Sequence, residues 1–197
     1  MILQNNYYYY SNIFSKDFCK KIIDFSLSQK EKIVTAVTGN NKNPSLDEIN
    51  KIRDSHIRWL DEPWINNQIT PIVMEANRKA GWNFQFTGHE LSQFTIYDNK
   101  QFYNWHVDAS PVDEKKDGNI RKISVSVSLN DGTEYEGGCF EIDNRNNFLE
   151  PNIHRLDNIR STGSIVVFPS FLYHRVTPVT KGIRYSLVMW YSGRPYI

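Results

Sequence analysis

The chain has 197 residues, 40% of them hydrophobic and 23% charged, a size and balance that suit one folded domain and exclude a disordered polyelectrolyte. Its 23 basic and 22 acidic side chains leave a net charge of +1, too little for a protein that grips nucleic acid through a broad basic face. The longest apolar run, Leu187–Tyr191, is far short of the roughly 20 residues of a membrane span.

Met1–Leu3 gives way to Asn5 and Asn6, so no signal-peptide core forms and a cytoplasmic location is expected. Cys19 and Cys139 are the only cysteines and lie in different elements; two free thiols in a reducing compartment are expected rather than a disulfide. With no CxxC pair and no GxGxxG or GxxxxGK[ST] stretch, neither a thiolate zinc site nor a nucleotide-binding loop is indicated.

Taken in order, the first half reads as helical. Ser15 is a good N-cap, with Asp17 at the positive end of the dipole and Phe14 placed to staple onto the next turn. Cys19, Ile22, Ile23 and Leu27 then fall on one face at helical spacing. A polar stretch from Thr38 to Asp54 reads as a loop. A second helix covers about Trp64–Lys79, with Ile65, Ile69, Ile72, Val73 and Ala76 as its buried stripe. Pro71 should kink that helix or move its start, and Gly81 should end it in a left-handed conformation.

After Trp82 the period becomes two. Leu91–Tyr97, Phe102–Val107, Lys122–Leu129, Gly138–Ile142, Ile165–Phe168 and Arg184–Tyr191 are short β-branched or aromatic runs separated by turn signals. Lys122–Leu129 puts Ile123, Val125, Val127 and Leu129 on one face and Ser124, Ser126 and Ser128 on the other. Many short strands after a helical lead-in predict a mainly β (α+β) fold, a β-sandwich or jelly roll braced by helices on one side.

Two of the five histidines keep company that suggests chemistry. His106 and Asp108 close a strand and point to the same face, a few ångströms apart. His174 follows the strand Ile165–Phe168 and could supply a third ligand from across a barrel. Two histidines and one carboxylate leave three coordination positions open, the facial set of non-haem Fe(II) oxygenases. Arg184 opens an apolar strand, where a charge is costly unless paired. With Ser186 two residues on, it makes a fork that suits a carboxylate; the alternative is a guanidinium neutralised by a core carboxylate such as Glu141.

These residues come in a recognisable order. Tyr97, Tyr103, His106 and Asp108 are followed by Arg121-Lys122-Ile123-Ser124, Leu129-Asn130, Glu136-Gly137-Gly138, Phe168-Pro169-Ser170, His174 and Arg184. The set resembles the prolyl 4-hydroxylase-type 2-oxoglutarate/Fe(II) dioxygenases, above all their small single-domain microbial and phage-encoded members, over about residues 90–195. The resemblance implies a double-stranded β-helix at about 86–195 behind a helical lead-in at about 1–85, all within one domain. It implies His106, Asp108 and His174 as Fe(II) ligands, and Arg184 on the distal carboxylate of 2-oxoglutarate, assisted by Tyr97 and Ser186. Tyr103, Arg121 and Trp190 match positions lining the substrate entrance. Ser128 departs from the pattern, since some protein hydroxylases carry a tyrosine there.

The implied reaction consumes O2 and 2-oxoglutarate, with ascorbate admitted as reductant, and releases succinate and CO2 as a substrate C–H bond is hydroxylated. An intact Asp108 favours hydroxylation over halogenation, because halogenating members lack that carboxylate. Proline in a peptide or protein is the expected substrate. A free amino acid, a small metabolite or an alkylated base is the alternative, and a non-catalytic metal-binding jelly roll is the third reading. No membrane partner is expected. The polar stretch from Ala109 to Asn119, with its Glu-Lys-Lys-Asp run, reads either as a lid over the metal or as a solvated loop.

Overall fold

The computed structural model describes residues 3–29, 33–36, 52–109, 118–144 and 150–196. β1 (Tyr8–Tyr10) leads into α1 (Lys16–Ser28). The Ser15 hydroxyl accepts from the Phe18 amide at 3.1 Å, and Phe14 packs on Phe18 with ring centroids 5.4 Å apart, as the sequence predicts. Cys19 and Ile22 face inward and are fully buried, but Leu27 is 46% exposed. Its expected inward place goes to Ser26, whose hydroxyl donates to the Ile22 carbonyl at 2.7 Å and so stays satisfied when buried.

The lead-in is not purely helical. β2 (Val34–Thr35), β3 (Arg53–Asp54) and β4 (His56–Leu60) follow α1. The reading of Thr38–Asp54 as loop therefore fails at its end, where Arg53 and Asp54 pair with Tyr103 and Phe102; residues 38–51 lie outside the described residues. α2 (Pro63–Lys79) starts on Pro63, whose missing amide would have had no helical partner. It runs through Pro71 without ending or moving its start. The carbonyl freed by Pro71 belongs to Asn67, which is exposed to water. Beyond the helix Gly81 has φ +76°, with amide bonds from Gly81 to the Arg78 carbonyl and from Trp82 to the Asn77 carbonyl. That paired closure needs a left-handed residue.

β5 (Gly88–His89), β6 (Ser92–Tyr97), β7 (Phe102–His106), β8 (Ile120–Ser128), β9 (Tyr135–Gly137) and β10 (Phe140–Asp143) follow. The chain closes with β11 (Ile153–Arg155), β12 (Ile165–Pro169), β13 (Tyr173–Val176), β14 (Val179–Gly182) and β15 (Arg184–Gly193). Among the described residues one sheet has the order β1-β12-β8-β15-β6-β4-β2, with β5 also on β15. A second has the order β11-β10-β13-β7-β3, and β9 pairs with β14. Every pairing is antiparallel. The fold is a jelly roll with the two described helices on the outer face of the large sheet.

Alternation along the strands decides what each face does. Ile123, Val125 and Val127 of β8, Ile165 and Val167 of β12, and Leu187 and Met189 of β15 pack with Ile22, Ile65 and Ile69 of the helices. One residue out of phase, Val166 and Phe168 of β12 turn between the sheets and meet Phe140, Ile142 and Val176. Both faces of β8 are therefore buried, and so are its serines Ser124, Ser126 and Ser128. Cys19 and Cys139 are both free and buried. No described helix is long and apolar enough to cross a membrane.

Candidate metal centre

His106 ends β7, and His174 lies opposite it on β13, the neighbouring strand of the small sheet. The third ligand thus comes from the adjacent strand and not from across the barrel as expected. β13 carries only one apolar residue besides Tyr173, Val176, and so has no alternating apolar signature. Asp108 follows two residues after β7. Its amide and that of Ala109 both donate to the Ser170 carbonyl, at 2.9 and 3.0 Å, and the Ser170 amide donates to the Lys122 carbonyl on β8. These bonds fix Asp108 against the turn between β12 and β13 and, through Ser170, against β8.

The three side chains present ligand atoms within 4.8 Å of one another. Asp108 lies 3.6 Å from His106 Nε2 through one oxygen and 3.5 Å from His174 Nε2 through the other. Each imidazole directs Nδ1 at a backbone carbonyl two residues earlier, His106 to Asn104 at 2.7 Å and His174 to Leu172 at 3.0 Å. A carbonyl can only accept, so Nδ1 carries the proton and Nε2 keeps its lone pair facing Asp108. Burial alone would raise the Asp108 carboxyl, but the His174 and His106 rings and a hydrogen bond from Ser124 hold it well below the usual carboxylate range. Burial, with the neighbouring His106 ring, pushes His174 down to about 4 against the opposing pull of Asp108. Near neutral pH the pair is a carboxylate and a neutral imidazole, the forms that bind a metal.

Two nitrogens and one carboxylate on a buried concave wall, with the remaining directions open to a cavity, fit an octahedral first-row metal such as Fe(II). His56, His89 and His154 are not part of the cluster. His56 instead meets Gln101 Nε2 at 3.0 Å through its Nδ1.

The same cavity is lined by Arg184, Ser186, Tyr97, Tyr103 and Trp190. Arg184 is 2% exposed and donates to the Ser186 hydroxyl at 3.1 Å. Its backbone partner across the sheet is Tyr97, whose ring centroid lies 5.5 Å from the guanidinium carbon. Glu141, the alternative partner, is engaged with Arg175 at 2.7 Å, and no described carboxylate pairs with Arg184. A buried guanidinium without an anion fits a site built to receive one. Tyr103 stacks on His106 with ring centroids 3.4 Å apart.

Arg121, expected to line the entrance, is held by neighbouring side chains. Its Nε and Nη2 both bind the Glu90 carboxylate at 2.7 Å, and its guanidinium lies 4.1 Å from the Trp190 ring centroid. It backs Trp190 and is not part of the cavity wall. The Ser128 hydroxyl likewise turns away, donating to the Ile159 carbonyl at 2.6 Å. Sequence reasoning missed Arg53, Gln93, Phe140 and Val176 of the wall. Of these only Gln93 carried a usable signal, a polar side chain inside a run otherwise suited to burial. Residues 110–117, most of the stretch read as lid or loop, lie outside the described residues.

Fold and site together define an iron-dependent oxygenase framework, and the chain belongs to the 2OG-Fe(II) oxygenase superfamily, whose pattern matches residues 92–192. Fe(II), 2-oxoglutarate and O2 are the cofactor and cosubstrates of that superfamily. Among curated relatives, the PKHD-type hydroxylase YbiX of Escherichia coli strain UMN026 is 34% identical over 105 residues, 52% of this chain and 44% of that one. The chain thus covers less than half the length of the curated relatives it matches. A prolyl-4-hydroxylase of Pseudomonas putida superposes with a TM-score of 0.69 at 19% identity, covering 96% of this chain and 93% of that one. A Trichoplax adhaerens prolyl hydroxylase, solved with a peptide fragment of the hypoxia inducible factor oxygen degradation domain, gives 0.69 at 21% identity, covering 95% and 83%. These likenesses establish the shared jelly-roll fold.

Proposed function

We propose that this chain is a 2-oxoglutarate- and O2-dependent Fe(II) hydroxylase acting on proline within a peptide or protein. The observation that carries the reading is the convergence of His106, Asp108 and His174 with an uncompensated, buried Arg184 in one cavity. His106, Asp108 and His174 would hold Fe(II), which when bound couples oxidative decarboxylation of 2-oxoglutarate to hydroxylation of a C–H bond. Arg184, with Ser186 fixing its Nη1, would take the distal carboxylate of 2-oxoglutarate through the planar fork that a lysine lacks. Tyr97 stands beside that carboxylate site.

Phe140, Phe168 and Val176 give the cavity an apolar wall on its metal side, a low-dielectric surrounding that strengthens each charge interaction there. Tyr103 and Trp190 supply flat apolar walls, and a pyrrolidine ring is of a size and polarity to lie against them. Backed by Arg121 and Glu90, Trp190 is held in one orientation, and a fixed wall is what aims one C–H bond at the metal. The prolyl hydroxylase folds noted above and the hydroxylase relatives support this substrate class. The test is succinate release with Fe(II) and 2-oxoglutarate across proline-containing peptides, free proline, other free amino acids and methylated oligonucleotides. Stimulation by peptides with a +16 Da product on proline is the expected result. Stimulation only by a free amino acid or an oligonucleotide would overturn the prolyl assignment.

A further inference from the structure

The cavity contains a second arginine besides the one assigned to 2-oxoglutarate. Arg53 lies on β3 at the edge of the small sheet, beside Tyr103 of β7 in the pairing register. It is 6% exposed and lines the cavity with the metal-site residues. Its Nε donates to the Ser55 hydroxyl at 2.8 Å, and its guanidinium carbon lies 4.5 Å from the Tyr103 ring centroid. Among the described residues no carboxylate pairs with it. Its neighbour Asp54 points elsewhere and accepts from Gln101 Nε2 at 3.1 Å.

A buried guanidinium with one neutral hydroxyl and one aromatic ring for company is only partly compensated. Arg184 is in the same condition, but it stands on β15 in the other sheet, and 2-oxoglutarate has a single distal carboxylate to offer. Its other carboxylate would go with the keto group to the metal held by His106, Asp108 and His174. One positive charge is then left over on the Tyr103 side of the cavity. A second donor on the wall also lacks an acceptor: Trp190 Nε1 is buried with no hydrogen-bond partner. An acceptor-rich group would serve the Trp190 donor, and the planar fork of Arg53, which no described carboxylate pairs, matches a carboxylate.

We propose that Arg53 is a specificity residue that receives a carboxylate carried by the substrate close to the hydroxylated carbon. The proposal rests on the oxygenase reading of the cavity and narrows its substrate class to anionic ones. The carboxylate can come from a chain terminus or from an acidic side chain next to the target residue, and the experiment separates the two.

Protein loaded with Mn(II) and saturating 2-oxoglutarate, which binds substrate without turning over, is titrated calorimetrically with matched acid and amide ligands. The terminal pair is N-acetylproline and its carboxamide; the side-chain pair is acetyl-Asp-Pro-Ala-amide and acetyl-Asn-Pro-Ala-amide. Free amino acids and their amides form a third set. The expected result is that the acid member of at least one pair binds tenfold or more tightly than its amide. Arg53→Gln should bring that ratio to about one and Arg53→Lys should restore part of it, while 2-oxoglutarate affinity stays within twofold. Acid and amide binding within twofold of each other in the wild type, no binding of any acid, or an undiminished ratio in Arg53→Gln would each overturn the proposal. Acid selectivity confined to the free amino acids, with no peptide hydroxylated, would uphold Arg53 and remove the prolyl reading instead.

Discussion

Along β15, Leu187, Met189 and Tyr191 are fully buried against the helical side of the large sheet, while Arg184, Ser186 and Trp190, one residue out of phase, line the cavity. Both sets are out of water, yet one is almost wholly apolar and the other carries a charge, a hydroxyl and an indole N–H. Tyr191 shows how the helical side handles its one polar atom, by pairing its hydroxyl with Thr70 Oγ1 at 3.0 Å. On the cavity side the Trp190 Nε1 donor stays unpaired. Unpaired buried polar groups cost roughly 1–3 kcal/mol each, so a face that keeps them is shaped for a ligand and not for stability. The outer face holds the fold together and the inner face holds the chemistry.

The sharpest way to break that division is at the metal ligands. Asp108→Ala should leave the far-ultraviolet circular dichroism unchanged and abolish succinate formation, with loaded iron lost on dialysis. Substituting a residue that merely orients a ligand already lowers metal affinity or activity roughly 10–100-fold, and Asp108 supplies the carboxylate itself. Iron content equal to the wild type after dialysis would remove Asp108 from the site. The converse test lies one position beyond Ser186, in the apolar set. Leu187→Ala should destabilise the protein by about 2–5 kcal/mol in urea unfolding, with succinate formation per folded molecule kept within twofold. A large loss of specific activity at unchanged stability would show that the two faces are not separable.

Arg184→Lys sharpens the comparison within the inner face. The ammonium cannot make two parallel bonds, so 2-oxoglutarate affinity should fall by about 1.5–3 kcal/mol, roughly ten- to a hundredfold. Iron binding should persist, because no metal ligand touches the substituted atoms. Unchanged 2-oxoglutarate affinity in Arg184→Lys and Arg184→Ala would take the carboxylate away from this residue.

How much of this was legible beforehand depended on how local each signal is. His106 and Asp108 share a strand end, and Arg184 and Ser186 share a strand face, so period-two spacing brings each pair together within three residues. The six strands read from alternation all exist, because each carries its own run of apolar or aromatic residues. β1, β4 and β13 do not: Tyr8–Tyr10 is a three-residue tyrosine run, His56–Leu60 includes a buried Arg58, and Tyr173–Val176 mixes two charged or polar residues into four. Their partners across the sheets make them strands. Arg53 was illegible for the same reason. It lies on a two-residue strand that exists only because it pairs with Tyr103 and Phe102, about fifty positions further on.

The smallest expected effect comes from the cap of a helix on the outer face. Ser15 accepts from the Phe18 amide at 3.1 Å and caps α1, whose Cys19 and Ile22 pack on the outer face of the large sheet. Ser15→Ala removes that acceptor and leaves a first-turn amide to water, which costs about 1 kcal/mol. For a chain of this size that corresponds to a fall of roughly 2–4 °C in Tm, readable by differential scanning fluorimetry, and Ser15→Asp should recover it by supplying another acceptor. Because α1 touches only the outer face, affinity for 2-oxoglutarate should stay within error of the wild type. A shift in that affinity accompanying the small loss of Tm would mean that the large sheet transmits strain from its helical side to Arg184, and that the outer face also tunes the site.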